Sequence, residues 1–185
     1  MHTVISNSII RQFDPCYDPS KFITDENEEL TVKQWIEKYR KVIPAKDIIW
    51  LLLRKEFLSE KDLRLFAVWC ARETLKLIVN PDERSVNACN VAEKYANGEA
   101  TQEELLSARD AANDGTYVAY YAALSAANIG HAYVAYAAFH AAYSTVHASD
   151  VNVAARAATS AASYADADVD VADAAQINQL LSYFE

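Results

Sequence analysis

The sequence predicts an all-α protein: a single domain of about eight short-to-medium helices, with a C-terminal stack of antiparallel helices rich in Ala and Tyr. Three observations predict it. Only 3 Gly and 4 Pro occur in 185 residues, too few for a turn-rich β fold. Polar capping residues repeatedly precede apolar stripes of helical period. The last third is dominated by Ala, the strongest helix former. A chain of this length buries about 70% of its extended surface, enough for a core without disulfides or metal. Residues 1–44 are expected to form an irregular, partly helical extension, and residues 45–185 the helical domain.

The elements follow in order. Val4, Ile5, Ser8, Ile9 and Phe13 fit one face of a short helix. Asp14-Pro15-Cys16-Tyr17-Asp18-Pro19 reads as loop, because each Pro turns its predecessor away from helix. The acidic run Asp25–Glu29 reads as a solvated link. Thr31 and Gln34 are spaced as a capping box, and Val32, Trp35, Ile36 and Tyr39 make a stripe at i, i+3, i+4, i+7. Pro44 opens the next helix, whose run from Ile48 to Leu53 is far short of the roughly 20 residues a bilayer needs.

Ser59 caps a helix whose stretch Leu65–Ala71 is apolar almost all round, so it is expected at the centre of the fold. Asn80-Pro81-Asp82-Glu83 is a helix start, with Asn80 as cap and Pro81 in the first turn. That helix should bury Ala88, Val91, Ala92 and Tyr95 and end at Gly98. Thr101 with Glu104 is a second capping box.

From Gly115 the composition changes. No formally charged residue occurs from Gly115 to Ser149, and a repeat of 16 residues is visible. Tyr117-Val118-Ala119-Tyr120 recurs as Tyr133-Val134-Ala135-Tyr136, and His131 falls in register with His147. Breaks at Asn113–Gly115, Asn128–Gly130, Ser149-Asp150 and Asp166–Asp168 imply helices of about three turns stacked side by side. Small Ala side chains let such helices approach closely, and Tyr fills the space between while keeping a hydroxyl for water or a partner. Asn128 and Gly130 interrupt the uncharged stretch, and Ala, Ser and Tyr are too weakly apolar to drive membrane insertion. The chain closes on an amphipathic helix carrying Ile177, Leu180, Leu181 and Phe184.

Charge is divided unevenly. Residues 1–98 hold 15 Lys/Arg and 15 Asp/Glu, whereas residues 99–185 hold Arg109 and Arg156 against 11 acids. The whole net charge of −9 therefore belongs to the C-terminal half. Phosphate binding needs a basic footprint that is missing, so nucleic acid is not expected as a direct partner. A protein with a basic surface is the natural complement.

The search for chemistry is largely negative. Asp166, Asp168, Asp170 and Asp173 begin like a calcium loop, with acids at positions 1, 3 and 5. Val171 then replaces the needed Gly, and Ile177 the bidentate Glu. Two readings of the cluster remain. It is a helix N-terminus dressed with acids that favour the dipole, or a patch that meets a basic partner. His140 and His147 share a helical face with Asp150 following, but no H-E-x-x-H pair exists. Cys16, Cys70 and Cys89 form no C-x-x-C and read as reduced thiols. Cys16 has no neighbouring cation in sequence to activate it. Glycines are too scattered for a phosphate cradle. No catalytic residue, metal or cofactor is therefore expected. Arg64 and Arg72, eight apart on one face, read as structural partners of carboxylates or helix carbonyls, with a partner contact as the alternative. Met1–Ile5 do not resemble a signal peptide, which with the unpatterned cysteines gives the expectation of a cytoplasmic protein.

Two segments are distinctive: Arg64-Leu65-Phe66-Ala67-Val68-Trp69-Cys70-Ala71-Arg72-Glu73, and the run from Val91-Ala92-Glu93-Lys94-Tyr95 through Gly98 to Leu105. With the Ala-rich tract that follows, they resemble the bacterial and phage immunity-protein family (Imm5-like domain), over roughly residues 45–185. The resemblance implies a cytoplasmic helical protein that neutralises a toxin by binding it. On that expectation the partner-binding residues are Asp166, Asp168, Asp170, Asp173 and Tyr164. Three other readings stay open. One is a phage counter-defence protein of the anti-CRISPR kind, with an acidic surface imitating nucleic acid. Another is a self-associating structural module. The last is an enzyme built around a buried metal.

Overall fold

Among the described residues the chain forms seven α-helices, together with two short 3₁₀ turns and one pair of two-residue strands. The structure is a computed structural model and describes residues 1–15, 17–75, 80–108, 110–111 and 169–184. The described chain is mostly helical, as expected. The Ala/Tyr stack falls almost wholly on residues 112–168, outside the described residues. Two compact units divide the chain: Met1–Ser59 with Asp173–Glu185, and Glu60–Ala172.

The first unit opens with a strand pair the sequence reading did not foresee. β1 (Val4–Ile5) lies antiparallel to β2 (Leu30–Thr31), with Val4 opposite Thr31 and Ile5 opposite Leu30. The single helix face expected across Val4–Phe13 is split at Ser6. Its extended backbone ends the strand, and its Oγ accepts the Ile9 N–H at 3.4 Å to cap α1 (Asn7–Arg11). The β-branched pair Val4-Ile5 favours the strand, and Ser at the cap favours the switch to helix. A 3₁₀ turn over Pro19–Lys21 follows, capped by Asp18, whose Oδ1 accepts the Ser20 N–H at 3.1 Å.

The acidic run is a tether rather than a free link. Glu26 accepts two hydrogen bonds from the Arg11 guanidinium, at 2.6 and 2.8 Å. Glu28 accepts from the Lys38 ammonium and the Tyr39 hydroxyl. A bidentate Arg–carboxylate pair fixes orientation as well as proximity. It anchors the loop from Asp25 to Glu29 onto α1, and the Glu28 bonds anchor it onto the following helix, α2 (Val32–Tyr39).

α2 (Val32–Tyr39) has the complete capping box: Gln34 N–H donates to Thr31 Oγ1, and Thr31 N–H to Gln34 Oε1. All four members of its stripe, Val32, Trp35, Ile36 and Tyr39, are buried. α3 (Ala45–Leu52) starts at Pro44 and buries Ile48, Ile49, Leu51 and Leu52. After it, the Arg54 guanidinium lies over the rings of Trp50 and Phe13, 4.3 and 4.6 Å from their centroids. The rings of His2, Phe13 and Phe57 adjoin one another. The closing helix, labelled α7 (Val169–Leu181), buries Ile177 and Leu180. Leu181 and Phe184, expected on the same face, are half-exposed. Phe184 falls in a 3₁₀ turn over Ser182–Phe184, where the α-helical period is lost. Each fully buried Leu or Ile here contributes roughly 1.5–3 kcal/mol of transfer free energy.

The second unit is built on the hairpin of α4 (Glu60–Leu75) and α5 (Glu83–Ala96). α4 buries Leu63, Phe66 and Val68, while Arg64, Leu65 and Trp69 are only half-buried. Of the apolar residues in the helix expected at the centre of the fold, Leu65 and Trp69 are thus only half-buried. α5 is capped by Asp82, not Asn80. Asp82 Oδ1 accepts the Arg84 N–H at 2.8 Å, and Asn80 sits in the left-handed region at φ +60°. Asn tolerates that conformation in a turn, and Asp is an equally good cap two residues later. α5 buries Ser85, Ala88, Cys89 and Ala92, with Val91 and Tyr95 half-exposed. No helix among the described residues is long and apolar enough to cross a membrane.

Candidate functional site

α5 ends in a two-bond turn that determines what comes next. Gly98 takes φ +77°. Its N–H donates to Tyr95 O at 3.0 Å, and the Glu99 N–H to Lys94 O at 2.8 Å. This is the Schellman pattern, in which a left-handed residue lets the following amides satisfy the last helix carbonyls. Three residues later Thr101 starts a new helix, α6 (residues 102–108). Glu104 N–H donates to Thr101 Oγ1 at 3.2 Å, and Thr101 N–H to Glu104 Oε2 at 2.7 Å. The backbone bond from Thr101 is the main reason the Glu104 carboxyl titrates below the usual range, with Lys94 adding to it. Glu104 is thus held ionised.

Between α5 and α6 lies an open groove of about 500 Å³. Asn87, Val91 and Lys94 line it from α5, at i, i+4 and i+7 and so on one face. Glu103, Ser107 and Ala111 line it from the other side at spacings of four. Glu99 and Ala100 close the end at the turn. Small residues (Ala100, Ser107, Ala108 and Ala111) stand where larger ones would fill the space between the helices. Three carboxylates and one ammonium border the groove. Among the described residues, the side chains of Asn87, Glu99, Glu103 and Ser107 make no hydrogen bond or ion pair. These four are uncommitted, whereas Glu104 is engaged by Thr101.

The arginines read from sequence serve the hairpin. Arg72 donates to Glu93 Oε2 at 2.6 Å and to Asn90 Oδ1 at 3.0 Å, tying α4 to α5. The Arg64 guanidinium lies 5.1 Å from the centroid of the Tyr95 ring. Cys89 is buried, and burial pushes its thiol up to about 11, so it is an inert thiol rather than a nucleophile. The side chain of Cys70, and Cys16 altogether, lie outside the described residues.

The sequence-predicted partner residues are only partly described. Asp170 and Asp173 have helical backbone in α7, with nothing described of their side chains. Tyr164, Asp166 and Asp168 lie outside the described residues, as do His131, His140 and His147. Sequence reasoning missed the groove. Its signal was present: a glycine stop, a capping box three residues on, and small residues spaced by four along the second helix. Among the described residues, no three His, Cys, Asp or Glu side chains cluster in a way that could hold a metal ion. Comparisons of the chain with protein-family models, with curated proteins and with solved structures find no match.

Proposed function

We propose that this protein is an immunity-type inhibitor: it binds a protein effector with a basic surface and neutralises it by covering that surface. The observation that carries the reading is the segregation of charge. All of the net −9 belongs to residues 99–185, and residues 1–98 are neutral. Four acids that open this half, Glu99, Glu103, Glu104 and Asp110, are exposed. A field of one sign raises the encounter rate with a partner of the other sign and disfavours like-charged competitors. Uncharged Tyr-bearing surface would then supply affinity, since Tyr offers large contact area at low entropic cost. The Asp166, Asp168, Asp170 and Asp173 cluster and Tyr164 remain the proposed contact residues.

The experiment is reconstitution. The partner is recovered from the native host by affinity capture and identified by mass spectrometry. Its activity is then titrated with the purified chain. The reading expects loss of activity at a fixed stoichiometry, and weaker inhibition by a variant with the four aspartates changed to Asn. A captured partner whose activity is untouched at saturation would refute neutralisation.

A further inference from the structure

Among the described residues, the groove between α5 and α6 is a concavity bordered by the acids that open the acidic half, and four of its polar side chains are unspent. We infer that it is the seat for an Arg- or Lys-bearing segment of the protein partner. This deepens the proposed function and rests on it. Three features point the same way. The rim carries Glu99, Glu103 and Glu104, of which Glu104 is kept ionised by the Thr101 amide. The side chains of Asn87, Glu99, Glu103 and Ser107 have no partner among the described residues, so their hydrogen-bonding capacity is available without breaking any bond of the fold. Ala100, Ala108 and Val91 give the lining an apolar part, which suits the aliphatic stem of a long cationic side chain while its head reaches the carboxylates. A volume of about 500 Å³ lies within the range of sites that enclose a small ligand, and so accommodates a few side chains rather than a whole helix. Lys94 stands at the α5 wall and repels a second cation there. The segment's charges are therefore directed to the α6 wall.

Association of this kind is read by isothermal titration of the full chain with a short peptide alternating Arg and Ala. Two double variants carry the same charge change. Glu99→Lys with Glu103→Lys alters the groove; Glu29→Lys with Glu37→Lys alters exposed acids of the first unit. Circular dichroism verifies that both stay helical. The expected result is a loss of about tenfold in affinity for the groove variant and at most about twofold for the control. Amide shifts at Asn87 and Ser107 should move on titration of the parent chain. Equal losses in both variants would overturn the groove as the seat while leaving the acid-driven reading intact. So would binding of free arginine as tight as that of the peptide, which would make this a small-molecule site. No binding of the basic peptide by the parent chain would overturn both.

Discussion

Glu28 accepts hydrogen bonds from Lys38 and then Tyr39, and these hold its carboxyl below the usual carboxylate range. The Arg11 guanidinium does the same for Glu26, and the Arg84 side chain for Asp82. A carboxyl whose folded pKa is depressed contributes its stability in full above the unfolded value and loses it as pH falls through the folded one. The melting temperature should therefore drop as pH is lowered from 6 through the carboxylate range. Glu28→Gln should melt lower than the parent at neutral pH and show a shallower acid dependence; thermal melts across that range test it. Burial acts in the other sense on Cys89, whose thiol is pushed up to about 11. At pH 8 it should resist maleimide in the folded chain and react once the chain is unfolded in urea, as peptide mapping by mass spectrometry would show. What the sequence could say at this scale was limited to partners close along the chain. The Glu26–Arg11 and Glu28–Lys38 pairs join residues 15 and 10 apart. Nothing local in Asp25–Glu29 distinguishes such a tether from a solvated charge run.

At the scale of single elements the local rules did most of the work. Thr31–Gln34 and Thr101–Glu104 are reciprocal caps confined to four residues each, so their spacing alone revealed them. Gly98 was legible for the same reason, since a helix stop needs a residue that accepts positive φ. Gly98→Ala should cost about 1 kcal/mol, and Thr101→Ala about 1 kcal/mol, each read as a shift in urea midpoint with unchanged slope. A normal response to Gly98→Ala would mean that the turn is not held left-handed. The β1–β2 pair was not legible. Val4 and Thr31 are partners 27 residues apart in sequence, and a two-residue strand has no period to detect. Asn80 and Asp82 are both good caps, and only the backbone shows which residue the helix starts after. The groove escaped because it depends on two helices meeting, although each wall was predicted separately. Arg72 shows the same limit in its favourable form. Its helical face was readable, and its partner Glu93 on the next helix needed the structure.

Taken as one molecule, the chain pairs a neutral N-terminal half with a strongly acidic C-terminal half, a property of composition alone that no packing argument is needed to see. Such a division is costly in self-repulsion and is useful when it recruits an opposite charge. The central claim is that this acidity draws in a basic protein partner. Stopped-flow association of the chain with that partner, at ionic strengths from 20 to 500 mM, tests it most directly. The account predicts a rate that falls steeply as salt rises, and a lower rate with a flatter salt dependence when Asp166, Asp168, Asp170 and Asp173 are changed to Asn. A rate that is independent of salt, and the same for parent and variant, would contradict it.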